Sequence, residues 1–320
     1  MLPKQTAERY LLSSSPHAHG PRTVSSLMLD VIVALLPAFG CAVWFFGIRA
    51  LFLAGTCIAA CLVTEAISRL AMKRENTIGD LSAVLTGLLL ALNLPPDLPL
   101  WMAAVGGVFA IGVCKQVFGG LGYNPFNPAL AARAFMLISF TGPMTTWTSS
   151  AWQGSLDAAT TATPLAFVKK GAEGFDWSQV AVLKNLFLGN VNGCLGEVSA
   201  LALLVGAAYL LFRRTITWHI PASFIGTVFL FAMLNGGVPP LVHVFSGGVM
   251  IGACFMATDY VTSPITAKGK LIFGCGCGLL TMVIRTFGAF PEDVSFAILI
   301  MNAVCPLINR WTQPKPFGTK

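Results

Sequence analysis

Apolar residues fall in long stretches that polar segments separate. Ten such stretches can be read along the chain, at roughly 27–46, 51–67, 81–94, 98–113, 129–140, 198–212, 220–234, 241–258, 271–284 and 294–307. A straight helix needs about 20 apolar residues to cross the hydrocarbon of a bilayer, and several of these stretches are shorter. The pattern therefore predicts about ten transmembrane helices, some of them tilted, extended at their ends or broken midway.

Composition points to the same class of protein. Hydrophobic residues make up 55% of the chain and charged residues 10%, whereas a soluble domain usually carries about 25% charged residues. The first 26 residues are polar and lack the apolar core and small-residue cleavage site of a secretory signal peptide. We therefore expect an all-α polytopic protein of the lipid bilayer, whose first span stays in place as an anchor.

The distribution of Lys and Arg predicts the orientation, because cytoplasmic loops are enriched in these residues. With ten spans and a cytoplasmic amino terminus, fifteen Lys and Arg residues fall on the cytoplasmic side and five outside. Both termini are then cytoplasmic, and the long polar loop at 141–197 is extracytoplasmic. The net charge of +7 follows mainly from this pattern and requires no nucleic-acid partner.

An internal similarity divides the chain into two halves. Residues 99–112 resemble residues 240–252 with one gap, and a polar, Pro-containing stretch follows each copy. Duplicated halves with Gly- and Pro-interrupted segments are typical of transporter-like folds with two inverted repeats and broken helices, although Gly-Gly pairs in membrane helices also serve close packing. The predicted organisation is a cytoplasmic tail at 1–26, a first repeat of five spans at 27–140, the loop at 141–197, a second repeat of five spans at 198–309, and a tail at 310–320.

Polar side chains beside the two copies are candidate ligands. Asn124 and Asn127 follow the first copy, and Asp259 follows the second. They could hold a heteroaromatic ligand or an ion between the halves, or they could only cap helix ends. Burying charge in a membrane is costly, so Asp259, Asp30 and Glu65 are also candidates for an ion path. The alternative for Asp30 and Glu65 is that their side chains reach the nearby membrane surface.

The cysteines and histidines do not form a recognisable metal site. Cys275 and Cys277 have the wrong spacing for a zinc or iron–sulfur motif. Cys57 and Cys61 share a helix face and could meet ligands from another subunit, but small packing residues of this kind are more common. His243 is the one histidine that we place within the membrane.

A hydroxyl-rich run occupies the long polar loop. It extends from Asp157 to Leu165 and contains three threonines. A threonine hydroxyl is an oxygen nucleophile to which a modifying enzyme can attach a group. The other reading is that Thr163, which precedes Pro164, caps a helix that begins there.

Four motifs together resemble a known family. They are the run 15–17 (Ser-Pro-His), the run 28–37, the Asn-Pro-Phe-Asn-Pro-Ala motif at 124–129, and the Ala-Thr-Asp-Tyr-Val-Thr-Ser-Pro motif at 257–264. They resemble the D subunit of Rnf electron-transport complexes, a family homologous to the B subunit of sodium-pumping NADH:quinone oxidoreductase. The resemblance covers the chain from about Ser15 to Leu307, and the short amino-terminal tail is more similar to the Rnf subunit.

The resemblance implies a covalent flavin. In this family, a dedicated flavin transferase outside the cytoplasm joins FMN through a phosphoester to a threonine in a pattern like Asp-x-x-Ser/Thr-Gly-Ala-Thr. Asp157, Thr160 and Ala162 match this pattern and make Thr163 the expected acceptor. Thr161 stands where the pattern has glycine, so it is the second choice.

The resemblance also implies the rest of the function. We expect a subunit of an ion-translocating oxidoreductase of the bacterial cytoplasmic (inner) membrane, in which flavin carries electrons between ferredoxin and NAD through other subunits, coupled to Na⁺ or H⁺ movement. A second, non-covalent flavin, riboflavin, would lie between the halves near Asn124 and Asn127. The alternatives are a B-type subunit of a sodium-pumping NADH:quinone oxidoreductase and a flavin-free channel or transporter.

Overall fold

The computed structural model describes residues 22–75, 77–147, 165, 180–189, 192–288 and 293–314, and the regular structure in these residues is helical. The helices are α1 (Val24–Phe46), α2 (Ile48–Ala71), α3 (Ser82–Leu92), α4 (Leu100–Val108), α5 (Pro128–Ser139), α6 (Thr141–Thr145), α7 (Val180–Leu188), α8 (Ala200–Phe212), α9 (His219–Asn235), α10 (Pro240–Phe245), α11 (Val249–Ile251), α12 (Ala267–Phe287) and α13 (Val294–Thr312). Two π-helical segments, π1 (Phe109–Gln116) and π2 (Gly252–Met256), continue α4 and α11.

The helices confirm the membrane class. Among the described residues, α1, α2, α12 and α13 are long and apolar enough to cross a bilayer. Shorter apolar helices correspond to α3, α4 with π1, α5, α8 and α9. Each of the ten apolar stretches thus overlaps helical structure, while the number of crossings and their direction stay predictions.

Helix starts follow local capping rules. The Thr23 side chain accepts a hydrogen bond from the Ser26 amide at the start of α1. The Asn127 side chain accepts from the amides of Ala129 and Leu130, and Pro128 occupies the first turn of α5. This cap satisfies amides that have no partner within the helix, so the second Asn-Pro step of the 124–129 motif begins a helix.

Small residues bring the helices close together, as expected where lipid replaces water around them. A Cβ atom added to Gly87 of α3 would stand 2.7 Å from the Ile58 Cα of α2. A Cβ atom on Gly278 of α12 would stand 2.8 Å from the Phe224 carbonyl oxygen of α9. These two contacts allow the backbones of α2 and α3, and of α9 and α12, to pack directly.

The two similar segments differ at their Gly-Gly pairs. Both begin beside a proline and end in a π-helical segment. In the first copy, Gly106 and Gly107 remain helical, and an added Cβ on Gly107 would lie 2.9 Å from the Ala60 Cβ. In the second copy, Gly247 has a φ of 68° and separates α10 from α11. Close packing therefore explains the first pair, and a broken helix the second.

Burial changes the charge count behind the predicted orientation. Lys115 and Arg133, counted as cytoplasmic, are both buried in the protein, as is Arg285, counted as external. The position of a buried cation depends on its partners in the protein and not on the side of the membrane, so these three residues are left out of the count. Thirteen cytoplasmic residues against four external ones remain, which leaves the predicted orientation favoured.

Candidate functional site

A cavity lies where the two halves of the chain meet. It encloses about 780 Å³ of empty space including its open mouth. The apolar wall comes mainly from α1 and α3. The polar wall combines Ser82, Lys115, Asn124 and Asn127 of the first half with Thr258 and Asp259 of the second. The cavity thus offers apolar sides to a flat ring and hydrogen-bonding groups to its edges.

The two asparagines predicted from the sequence lie together in this wall. Asn127 caps α5, and its Nδ2 also donates to the Met256 carbonyl oxygen at 3.3 Å, so it joins the two halves. The Nδ2 of buried Asn124 donates to the Phe126 carbonyl oxygen at 3.0 Å. The Oδ1 of Asn124 is buried and has no hydrogen-bond partner among the described residues. Such an acceptor is costly unless a donor meets it, and a ligand N–H or O–H in the cavity would do so.

Asp259 also lines the cavity, in the segment between π2 and α12. Its Oδ2 accepts a hydrogen bond from the Thr262 hydroxyl at 3.1 Å. Desolvation by the surrounding protein raises the pKa of the Asp259 carboxyl, against hydrogen bonds from Thr262 and from the backbone at Val261 and Tyr260 that lower it. Asp259 is therefore placed at the same cavity as the asparagines, as the motif after the second copy suggested.

Asp30 takes a different position. It is buried, and its carboxylate accepts from the Tyr209 hydroxyl at 3.3 Å, the Arg213 guanidinium at 3.2 Å and the Thr215 hydroxyl at 3.3 Å. All three donors belong to α8 or the residues just after it. Asp30 thus ties α1 to the second half of the chain.

Glu65 is the most completely enclosed of the three acids, with an exposed fraction of 0%. Its Oε1 and Oε2 lie 3.0 and 3.1 Å from the Lys115 Nζ. Oε1 also accepts from the Gln116 Nε2 at 3.0 Å and the Thr77 hydroxyl at 2.8 Å. The carboxylate is therefore paired and held by four donor contacts, and it does not reach the membrane surface.

From the sequence, Lys115 counts among the cytoplasmic residues beside the membrane and is not selected as a site residue. Lys115 lies in π1, its exposed fraction is 1%, and it also donates to the Ser82 Oγ at 2.6 Å. The available signal was that Glu65 lies within an apolar stretch and Lys115 just after another. A charge there needs a partner.

Two further buried ion pairs flank the break between α10 and α11. Arg133 lies 3.4 Å from Glu197 and donates to the Asn93 Oδ1 at 2.6 Å. Arg285 pairs with Asp293 and donates to the His243 carbonyl oxygen at 2.7 Å. These contacts satisfy backbone and charge where the helix is interrupted, and the sequence did not predict them.

The predicted flavin-acceptor residues Asp157, Thr160, Thr161, Ala162 and Thr163 lie outside the described residues. The nearest described position is Leu165, which is buried. Its Cδ2 would be 3.6 Å from a Cβ added to Gly247 at the helix break. The predicted acceptor Thr163 is thus two positions before Leu165, which lies beside Gly247 of the second half.

Cys57 and Cys61 behave as packing residues. Cys57 and Cys61 are fully buried, and their thiols face the carbonyl oxygens of Ala103 and Gly107 at 3.9 and 3.7 Å. No group of three or more potential metal-ligating side chains occurs among the described residues. Close packing of small side chains therefore explains the positions of Cys57 and Cys61.

The sequence of the chain is similar to those of known proteins over nearly its whole length. The model of the NQR2, RnfD, RnfE family matches residues 11–318. The chain is 50% identical to the D subunit of a Na⁺-translocating ferredoxin:NAD⁺ oxidoreductase complex from Acetobacterium woodii, over 96% of this chain and 95% of that protein. It is 45% identical to the D subunit of a proton-translocating ferredoxin:NAD⁺ oxidoreductase complex from Clostridium ljungdahlii, over 97% of each. It is also 35% identical to the D subunit of an ion-translocating oxidoreductase complex from Pectobacterium carotovorum, over 97% of this chain and 99% of that one.

Proposed function

The chain belongs to the NQR2, RnfD, RnfE family, and on that premise we propose that it is the D-type membrane subunit of an ion-translocating ferredoxin:NAD⁺ oxidoreductase complex. The observation that carries the proposal is the near full-length similarity to subunits of this name, at 50% and 45% identity. Its partners are the other membrane and peripheral subunits of the complex, and its place is the bacterial cytoplasmic (inner) membrane.

Within this role, Thr163 carries covalent FMN on the extracytoplasmic side, attached by a flavin transferase. The match of Asp157, Thr160 and Ala162 to the acceptor pattern supports Thr163, with Thr161 as the second choice. The bound isoalloxazine ring would supply one- or two-electron transfer. The contribution of this chain is to fix where the ring stands relative to the neighbouring electron carriers.

The cavity between the halves is proposed to hold the second flavin, riboflavin. The unpartnered Asn124 Oδ1 supports this, because it could accept a hydrogen bond from a ring N–H. Asn127 would act chiefly by holding α5 and π2 together, which sets the width of the cavity. The apolar sides from α1 and α3 would exclude water from the ring faces.

Ion movement is proposed to involve Asp259, Asp30 and Glu65. The names of the two relatives differ in the coupling ion, Na⁺ in one and protons in the other. The arrangement around Glu65 favours protons at that position, because the adjacent Lys115 cation would repel Na⁺.

Fluorescence on a denaturing gel tests the covalent flavin. The full-length chain, coexpressed with its flavin transferase, should give a fluorescent band that disappears in Thr163→Ala. Thr161→Ala is the matched control and should keep the band. The opposite result would move the attachment to Thr161, and a dark wild-type band would favour the flavin-free channel or transporter.

Release of non-covalent flavin tests the cavity. Acid extraction of the purified full-length chain should release riboflavin, and Asn124→Leu should lower its amount because the acceptor is removed. Asn235→Leu is the control, since Asn235 is exposed at the end of α9. Equal riboflavin in both variants would place the second flavin elsewhere. NADH-driven quinone reduction by the intact complex would instead identify the B-type alternative.

A further inference from the structure

A chain of hydrogen bonds connects the cavity to a carboxylate at the protein surface. Lys115 and Ser82 both line the cavity. The Lys115 ammonium donates to the Ser82 Oγ at 2.6 Å, and the Ser82 hydroxyl donates to the Asp80 Oδ1 at 2.5 Å. Lys115 and Ser82 are buried, whereas Asp80 is partly exposed. Each neighbouring pair in this row is thus within hydrogen-bond distance, from the cavity wall to the edge of the protein.

The backbone and Glu65 fix the geometry of this row. Leu81, between Asp80 and Ser82, has a φ of 62°, a left-handed conformation that costs about 1–2 kcal/mol for a residue with a side chain. It folds the chain so that Asp80 also accepts from the Ser82 amide at 2.8 Å. Glu65 lies on the far side of Lys115, since it pairs with Lys115 but does not line the cavity.

Other titratable groups at the cavity do not interrupt the row. Asp259 and Tyr260 stand on the wall contributed by the second half. Neither has a described hydrogen bond to Lys115, Ser82 or Asp80. Within the row, Lys115 donates to Ser82 and Ser82 donates to Asp80, so both hydrogen bonds point away from the cavity.

We propose that Lys115, Ser82 and Asp80 form a proton-transfer path between the cavity and the side of the protein that the sequence predicts to be cytoplasmic, with Glu65 as the residue that positions Lys115. The proposal rests on the assignment of riboflavin to the cavity. A reduced flavin bound there would, on oxidation, give electrons to the carriers of the complex and protons to groups at the cavity wall.

The proton transfer balances within the row. An N–H bond of Lys115 breaks as Ser82 takes that proton, and the Ser82 O–H bond breaks as Asp80 becomes a carboxylic acid. A proton delivered from the cavity restores the ammonium of Lys115. Asp80 then gives its proton to water, so that one proton has moved from the cavity to solvent and each residue has its original charge. Reduction runs the same path in reverse.

The test follows proton release and electron loss at the same time. The full-length chain carrying Thr163→Ala, so that riboflavin is its only flavin, is reduced and then mixed with ferricyanide in a weakly buffered solution with a pH indicator. Flavin absorbance reports the oxidation, and the indicator reports the protons. In the parent protein the two signals should coincide.

Three variants should separate the signals. Asp80→Asn keeps the acceptor oxygen but cannot carry the proton, and Ser82→Ala interrupts the row. Lys115→Arg keeps the cation but not a proton that is readily released, because a guanidinium stays protonated. In each, proton release should lag behind oxidation by roughly 10²-fold, the scale of lost acid–base assistance. Asp97→Asn, a partly exposed carboxylate paired with Arg49 away from the cavity, is the control and should show no lag.

The outcomes distinguish failure of the proton path from failure of the riboflavin assignment on which it rests. Coincident signals in all three variants, with riboflavin bound, would overturn the path and leave the cavity assignment standing. Loss of riboflavin from Asp80→Asn would make the row a binding element and also overturn the path. Absence of riboflavin from the parent protein would overturn the cavity assignment and the path together.

Discussion

Replacing Glu65 by leucine is expected to destabilise the protein far more than breaking a surface ion pair. Glu65 is fully buried and receives donors from Lys115, Gln116 and Thr77 at 2.8–3.1 Å. In Glu65→Leu the Lys115 ammonium stays buried and keeps only its contact with the Ser82 Oγ. The variant therefore leaves a charge without its counter-charge in a region that water does not reach.

The magnitude follows from which partner remains. Removing one member of a buried ion pair costs about 3–5 kcal/mol, mostly because the other charge is left uncompensated. An exposed pair contributes about 0.2–1 kcal/mol. The Arg49–Asp97 pair is the matched control, since its side chains are 54% and 43% exposed at a separation of 3.2 Å. Asp97→Leu should thus cost at most about 1 kcal/mol.

The double variant Glu65→Leu, Lys115→Met completes the cycle. It removes both charges and fills their space with apolar groups, which is often neutral relative to a buried pair. It should recover most of the loss in Glu65→Leu, although Gln116 and Thr77 still lack their acceptor. A double variant that is more stable than one of its single parents is the signature of a paired buried charge.

Equilibrium denaturant titration in detergent measures these differences. Unfolding can be followed through the reaction of a maleimide dye with Cys57, Cys61 and Cys277, which are fully buried in the folded protein. A Glu65→Leu cost near that of Asp97→Leu would refute the reasoning. A double variant whose cost equals the sum of its two single variants would refute it as well.

Two further outcomes follow from local geometry and use the same titration. Gly87→Ala should destabilise the protein by about 1–3 kcal/mol, because its Cβ would stand 2.7 Å from the Ile58 Cα. The control is Gly55→Ala, whose Cβ would meet nothing within 4 Å and which should be neutral or stabilising. Equal effects of the two substitutions would contradict the packing of α3 on α2. Arg285→Lys should lower the free energy of unfolding by about 2–4 kcal/mol, because an ammonium cannot reach Asp293 and the carbonyl oxygens of His243 and Ser246 together. The control is Arg310→Lys, at an exposed position, which should have little effect.

The sequence alone determined the class of the protein and its local elements. Long apolar stretches have no stable place in a soluble fold, so the membrane class and the helices at those stretches could be predicted without tertiary contacts. The cap at Asn127 was likewise predictable, because its partners are the next few amides of the same helix. The four motifs resembling the D subunit of Rnf complexes identified the family, which the comparisons confirmed.

Tertiary structure decided the pairing of charges and the fate of the two Gly-Gly segments. Glu65 meets Lys115 across 50 positions, and Asp30 meets Arg213 across 183, so no local pattern could pair them. One Gly-Gly pair stays helical against α2, while the other, beside Arg285, breaks its helix. Whether such a pair packs or breaks depends on which neighbour lies beside it, and only the folded chain supplies that neighbour.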